Sequence, residues 1–222
     1  MAGASSVLED GSTLSRLDRT LFRIETVMAL VSGLAVFSLM LLAVLSVGGR
    51  HALNQPLPGY VDWIQQAMPV IAVFGVAYVQ RLGGHIRMDI VVGNLKGRAL
   101  WSVEFLSTLV VLILAVLLVW GSWAHFARSF DFSQPMWSRD SSFDIRLPLW
   151  PAKLVVPVAL AVLCLRLTLQ LWAYGRAIVL GLSEPVAVPL IEDAATQAAA
   201  EAETVSGFDD TDDTMTDRRG LR

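Results

Sequence analysis

Charge is what this sequence has least of. Asp, Glu, Lys and Arg make up 17% of its 222 residues while 55% are hydrophobic, and a soluble domain carries roughly a quarter of charged residues. Such a composition belongs to a membrane protein. Cysteine is nearly missing too. Cys164 stands alone, which excludes an intramolecular disulfide, and with three scattered histidines it excludes the usual zinc and iron–sulfur spacings, so no metal site is expected. There is no Gly-rich phosphate loop, no His-Glu-x-x-His and no Gly-x-Ser-x-Gly; no catalytic residue and no enzyme activity are expected. No dense basic face with interleaved aromatics exists either, which speaks against a nucleic-acid partner.

What is present is apolar length. Four stretches reach the ~20 residues that a hydrocarbon core of about 30 Å requires. Thr26–Val47, Trp63–Gln80 and Phe105–Ala124 hold no charge, and Leu154–Gly175 holds only Arg166. The expected fold is an all-α membrane protein with four transmembrane helices, spans about 26–47, 63–80, 105–124 and 154–175, inside a membrane domain of residues 12–183. Trp and Tyr collect where hydrocarbon meets headgroup. Trp63, Trp101, Trp120, Trp123, Trp150 and Trp172 all sit near proposed helix ends, as do Tyr60, Tyr78 and Tyr174. Trp63, Trp101, Trp123, Trp150 and Trp172 are therefore candidate interface anchors; only Trp137 falls in a loop.

The net charge of −3 averages two regions. Residues 1–183 carry 14 basic and 10 acidic side chains, whereas 184–222 carry 3 and 10. Arg16, Arg19, Arg23, Arg81, Arg87, Lys96, Arg98 and Arg176 flank the spans on the side of the termini, against Arg50, Arg128, Arg139, Arg146 and Lys153 opposite. That bias puts both termini in the cytoplasm. The polar residues ahead of the first span, and its length, argue against a cleaved signal peptide. Residues 1–11 are expected to be disordered. Beyond them Leu14, Leu17, Leu21, Ile24 and Met28 recur at helical spacing with Arg16, Arg19 and Arg23 on another face. This pattern fits an amphipathic helix lying in the membrane interface, or a helical run-in to the first span. Glu192 to Asp217 holds nine acidic residues and no Lys or Arg, so residues 184–222 read as a disordered acidic cytoplasmic tail.

Ionisable groups in or beside a membrane are costly and often functional. Asp62 heads the second span, where it complements the helix dipole or contacts another membrane subunit. His85, Arg87 and Asp89 lie in a polar loop after that span, followed by an apolar stripe of Met88, Val91, Val92 and Leu95. Glu104 stands one turn inside the third span. Arg166 sits about 10 Å from the boundary nearest the termini, at 1.5 Å per residue. It is expected to snorkel, or to pair with Glu104 or a carboxylate of another subunit. His51 and His125, at the outer ends of spans, invite one reading from another class, a haem-binding electron-transfer anchor. Both lie at the edge of the apolar core, where a haem ligand more usually lies within it.

The order of these features carries a resemblance. Asp62, then Phe74-Gly75-Val76-Ala77-Tyr78, then Gly84-His85-Ile86-Arg87-Met88-Asp89, and later Leu147-Pro148-Leu149-Trp150-Pro151 with Pro157, resemble the small membrane subunit (DctQ type) of tripartite ATP-independent periplasmic, or TRAP, transporters. The resemblance covers about residues 14–176. That family commonly carries Glu where Asp62 stands. The resemblance implies a multi-pass subunit of the bacterial inner membrane, without a cofactor of its own. A periplasmic solute-binding protein delivers an organic acid, and a large membrane subunit moves it with sodium while the small subunit holds the large one in place. On this reading Asp62, His85, Arg87, Asp89, Glu104 and Arg166 are the polar contacts to the large subunit. Asp144, Arg146 and Lys153 on the outer loops touch the binding protein, and membrane lipids surround the rest. Four mostly uninterrupted spans agree with a chain that has no transport path.

Overall fold

A computed structural model describes residues 13–54, 57–82, 98–181 and 188. The expected disordered N-terminus, the acidic tail except Val188, the Met88–Leu95 stripe and His85, Arg87 and Asp89 all lie outside the described residues. Among those described, the architecture is helical, with no strand and two isolated bridges, Phe130 to Ser138 and Ser141 to Pro148. The helices are α1 (Thr13–Leu53), α2 (Tyr60–Val73), α3 (Val76–Arg81), α4 (Arg98–Ser129) and α5 (Trp150–Leu180), with a single 3-10 turn at Pro135–Trp137. Three of them, α1, α4 and α5, are long and apolar enough to cross a membrane.

The expected boundaries change most in α1. The interfacial segment and the first span are one unbroken helix of 41 residues, about 60 Å long at 1.5 Å per residue. No Gly or Pro interrupts residues 13–32, so nothing in the backbone forces a turn into the membrane plane. Its buried stripe is not purely apolar. Leu14, Asp18, Leu21, Glu25 and Met28 face inward, while Leu17 and Ile24 are about half exposed. Successive steps of four and three residues keep these five on one side of a helix, and two of them are acids.

The expected second span is helical but broken. α2 and α3 together run from Tyr60 to Arg81 with an interruption at Phe74–Gly75. Pro69 lies inside α2, where it has no N–H to give the preceding turn, and Gly75 weakens the helix further. The backbone nevertheless stays right-handed helical at both Phe74 and Gly75. Phe74 N–H donates to the Val70 carbonyl at 3.1 Å, and Val79 N–H to Gly75 at 3.0 Å. The α-helical backbone thus carries through the interruption, and the segment is not unwound.

α5 is the hub. It packs against α4 along its length and also against α1, α2 and α3, while α1 packs mainly on α2 and α3. Small residues permit the close approach: Ala77 of α3, Ala115 of α4 and Leu163 and Leu167 of α5 form one buried cluster. A second cluster joins the start of α1, the start of α4 and the end of α5 through Leu14, Trp101, Ala173, Tyr174 and Ala177, with Val188 against them. Most of the remaining helix surface is apolar and exposed, as for Val44 and Leu45 of α1 and Leu117 and Leu118 of α4.

Candidate functional site

Two polar constructions stand at opposite ends of the helices. The first is a four-charge network at the end nearest the termini. Arg166 of α5 is fully buried, and so are Asp18 and Glu25 of α1. The Arg166 guanidinium grips Glu25 with two parallel bonds, Nε to Oε1 and Nη2 to Oε2, both 2.7 Å. Its Nη1 donates to Asp18 Oδ1. The other Asp18 oxygen accepts from Arg81 Nη2 at 2.8 Å. Arg81 in turn lies over the Phe22 ring at 3.8 Å, and that ring stacks on Tyr78 with centroids 5.9 Å apart.

Two cations and two anions make the cluster neutral. The fork geometry of guanidinium explains why arginine, not lysine, occupies both basic positions. The polar layer continues sideways, since Gln80 Nε2 donates to Gln170 Oε1 at 2.9 Å. Taken together these bonds tie α1, α3 and α5 at one depth. The expected snorkelling of Arg166 is therefore overturned, because its guanidinium has its partners inside the fold. Its partners are Asp18 and Glu25 rather than Glu104, which is buried on α4.

The second construction closes the opposite end, where α4 and α5 are joined by residues 130–149. Asp62 is buried in the first turn of α2. Its Oδ2 accepts from the Ser142 hydroxyl at 2.7 Å, from Ile145 N–H at 2.7 Å and from Asp144 N–H at 3.1 Å. Asp144 returns the grip, accepting from Gly59 N–H at 2.5 Å. Gly59 has φ of 74°, and a Cβ there would lie 2.5 Å from the Ile145 side chain, so only glycine fits this close approach. Gln66 Nε2 donates to the Pro148 carbonyl at 2.5 Å. A carboxylate that fastens a loop by its backbone was not foreseen from the position of Asp62 at a helix start.

The rest of the loop is held by charge and by rings. Lys153 Nζ donates to Asp140 Oδ2 at 2.5 Å, and the Ser129 hydroxyl shares that oxygen at 2.9 Å. Asp131 accepts from the Ser133 hydroxyl at 2.7 Å, from Ser133 N–H at 3.0 Å and from Arg139 Nε at 2.9 Å. The Ser133 bonds come first among the causes that hold Asp131 down to about 2. Asp140 is also held below the usual carboxylate range, by Lys153 first and then Ser129. A chain of ring contacts runs Trp123, Phe126, Phe130, Trp150, Trp137. Met136 and Trp137 both have positive φ, and with Phe132 and Phe143 they present large exposed apolar side chains.

The other candidate residues are dispersed. Arg146 is exposed, whereas Asp144 and Lys153 already have partners within the chain. Trp63, Trp123 and Trp172 are about half exposed, as interface anchors should be, and Trp150 Nε1 donates to the Met136 carbonyl at 3.1 Å. Trp101 is instead buried, 6.0 Å from the Tyr174 ring, so it packs the core rather than the headgroup region. His51 and His125 lie on α1 and α4, helices that make no extended contact with each other. Both are exposed, and the structure brings no haem pair together. Among the described residues no group of three His, Cys, Asp or Glu is placed to hold a metal.

Compared with known proteins, the chain matches over residues 39–174 the family model of the DctQ component of tripartite ATP-independent periplasmic transporters. That is more than half of its length. No curated protein matches it. Arg81 and Arg166 fall within the matched stretch, while Asp18 and Glu25 precede it.

Proposed function

From the premise that this chain belongs to the DctQ family of TRAP transporter components, we propose that it is a fixed scaffold. In this role it holds the large membrane subunit in place during sodium-coupled uptake of an organic acid delivered by a periplasmic binding protein. The supporting observation is that the charges of the buried network are closed on one another. Among the described residues, Arg166, Arg81, Asp18 and Glu25 each pair within it, whereas a route for an anion needs cationic or broken-helix sites lining a cavity. Substrate and sodium then belong to the large subunit.

In this reading α2 and α3 act together as a fourth span. Their 22 positions from Tyr60 to Arg81 cover about 33 Å at 1.5 Å per residue, enough for the ~30 Å core. Both termini are then cytoplasmic, the four-charge network lies toward the cytoplasm, and the 130–149 loop lies in the periplasm. The large subunit covers exposed apolar faces of α1 and α4, not Asp62 or Arg166, whose polar atoms have partners in this chain. Of the loop residues, Arg146 and the exposed Phe132, Met136, Trp137 and Phe143 are the surface offered to the binding protein.

Co-expression of the full chain with the large membrane subunit of its transporter, followed by purification in mild detergent through a tag on this chain, tests the reading. Stoichiometric recovery of the large subunit is expected. A chain recovered folded and alone overturns the scaffold role.

A further inference from the structure

We propose that the cleft between α2 and α4, floored by α5, is a site for one phospholipid with a zwitterionic phosphoethanolamine headgroup. α2 and α4 both pack on α5 but not along each other, and a cavity of about 270 Å³ remains between them. Pro69 of α2 and Leu149, Ala152 and Val156 of α5 form its apolar walls, and Gln65, Ser122, His125 and Lys153 its polar positions. The cleft thus offers apolar walls for an acyl chain together with polar positions for a headgroup.

Depth agrees with this occupant. Trp63, Trp123 and Trp150 lie within a turn of the lining residues, and such rings sit at the headgroup level. Satisfaction of polar groups agrees as well. Ser122 donates to the Leu118 carbonyl, but among the described residues Gln65 and His125 have no hydrogen-bond partner in the chain. Both are exposed, so their polar atoms are free to bond a headgroup. Charge selects the headgroup. Lys153 stands beside Asp140, whose carboxylate is about half exposed, so the rim offers one cation and one anion side by side. A phosphate on Lys153 and His125 with an ammonium on Asp140 sets opposite charges against both members of this pair, whereas an anionic glycerol headgroup leaves Asp140 facing a like charge.

The test is native mass spectrometry of the full chain released from mixed micelles of phosphatidylethanolamine and phosphatidylglycerol in equal amounts. One phosphatidylethanolamine adduct is expected to survive activation that strips phosphatidylglycerol. His125→Leu and Gln65→Leu, both at exposed positions, are expected to lower its occupancy on the order of fivefold each, and Ala152→Phe to fill the floor. Val116→Phe, on the exposed face of α4, is expected to leave it unchanged. Equal retention of the two lipids overturns the proposal. So does retention unchanged by His125→Leu and Gln65→Leu, which does not depend on whether Ala152→Phe folds. Loss of the adduct when the large subunit is bound also overturns it, by assigning the cleft to a protein helix.

Discussion

The two ends of the helix bundle use carboxylates in opposite ways. At the end nearest the termini, Asp18 and Glu25 are closed by guanidinium groups from other helices. At the loop end, Asp62 is closed by backbone N–H groups and a serine hydroxyl. A charge closed by charge fixes which helices lie side by side and at what register, because the partners come from residues far apart in the chain. A charge closed by amides fixes the shape of one loop on one helix start. The energetic consequence differs accordingly. Removing Arg166 strands Glu25 in low dielectric and leaves Asp18 with Arg81 alone, whereas removing Asp62 strands backbone amides of the loop.

The sharpest way to break this comparison is Arg166→Met. Breaking a buried pair by removing one partner costs about 3–5 kcal/mol, and here Glu25 loses both of its bonds from Arg166. The variant is expected to accumulate poorly and to unfold at a much lower temperature in detergent. Adding Glu25→Gln to it is expected to recover most of the loss, since a neutral group of similar shape is far cheaper to bury and Asp18 keeps its pair with Arg81 at 2.8 Å. If the double variant is no more stable than Arg166→Met, the cost lies in lost packing and not in uncompensated charge.

Asp62→Asn has the next largest expected effect, and only at the other end. The amide keeps one acceptor oxygen but turns an NH2 toward groups that all donate. Hydrogen exchange at the Asp144 and Ile145 amides is expected to quicken on the order of tenfold, with no change at residues 14–28. Equal quickening at both ends would mean that the two networks are one cooperative unit.

The contrast between the ends also explains what could be read from the sequence. Apolar length and aromatic belts located the three long helices among the described residues, because hydrophobic burial and interface preference act locally along the chain. Trp101 was misplaced for the same reason: its position near a helix start says nothing of Tyr174 across from it. The partners of Arg166 were missed although a signal existed. Asp18 and Glu25 are seven residues apart and fall in phase with Leu14, Leu21 and Met28, so a stripe counted without regard to charge would have included them. Leu17 and Ile24, which belong to the apolar stripe, are about half exposed instead. The Asp62 latch left no such trace, since its partners are backbone N–H groups that every residue except proline carries.

The smallest effect separates the ends by solvent rather than by mutation. Asp131, in the loop, titrates at about 2, below the ordinary carboxylate value near 3.9. A carboxyl whose folded value is depressed adds stability that is fully present above the unfolded value and disappears as pH falls through the folded one. The loop should therefore hold its Asp131, Ser133 and Arg139 bonds at pH 5 and lose them between about pH 4 and pH 2, with Asp140 weakening in the same direction as it releases Lys153. A 13C-carboxyl titration of the full chain in detergent reads this directly. Arg139→Gln is expected to move Asp131 upward only slightly, because the Ser133 bonds lead among the causes and Arg139 is more than half exposed, where screening by water keeps an ion pair weak. Return of Asp131 to 3.8 in that variant would assign the loop's hold to charge, as at the other end, and would erase the distinction drawn between them.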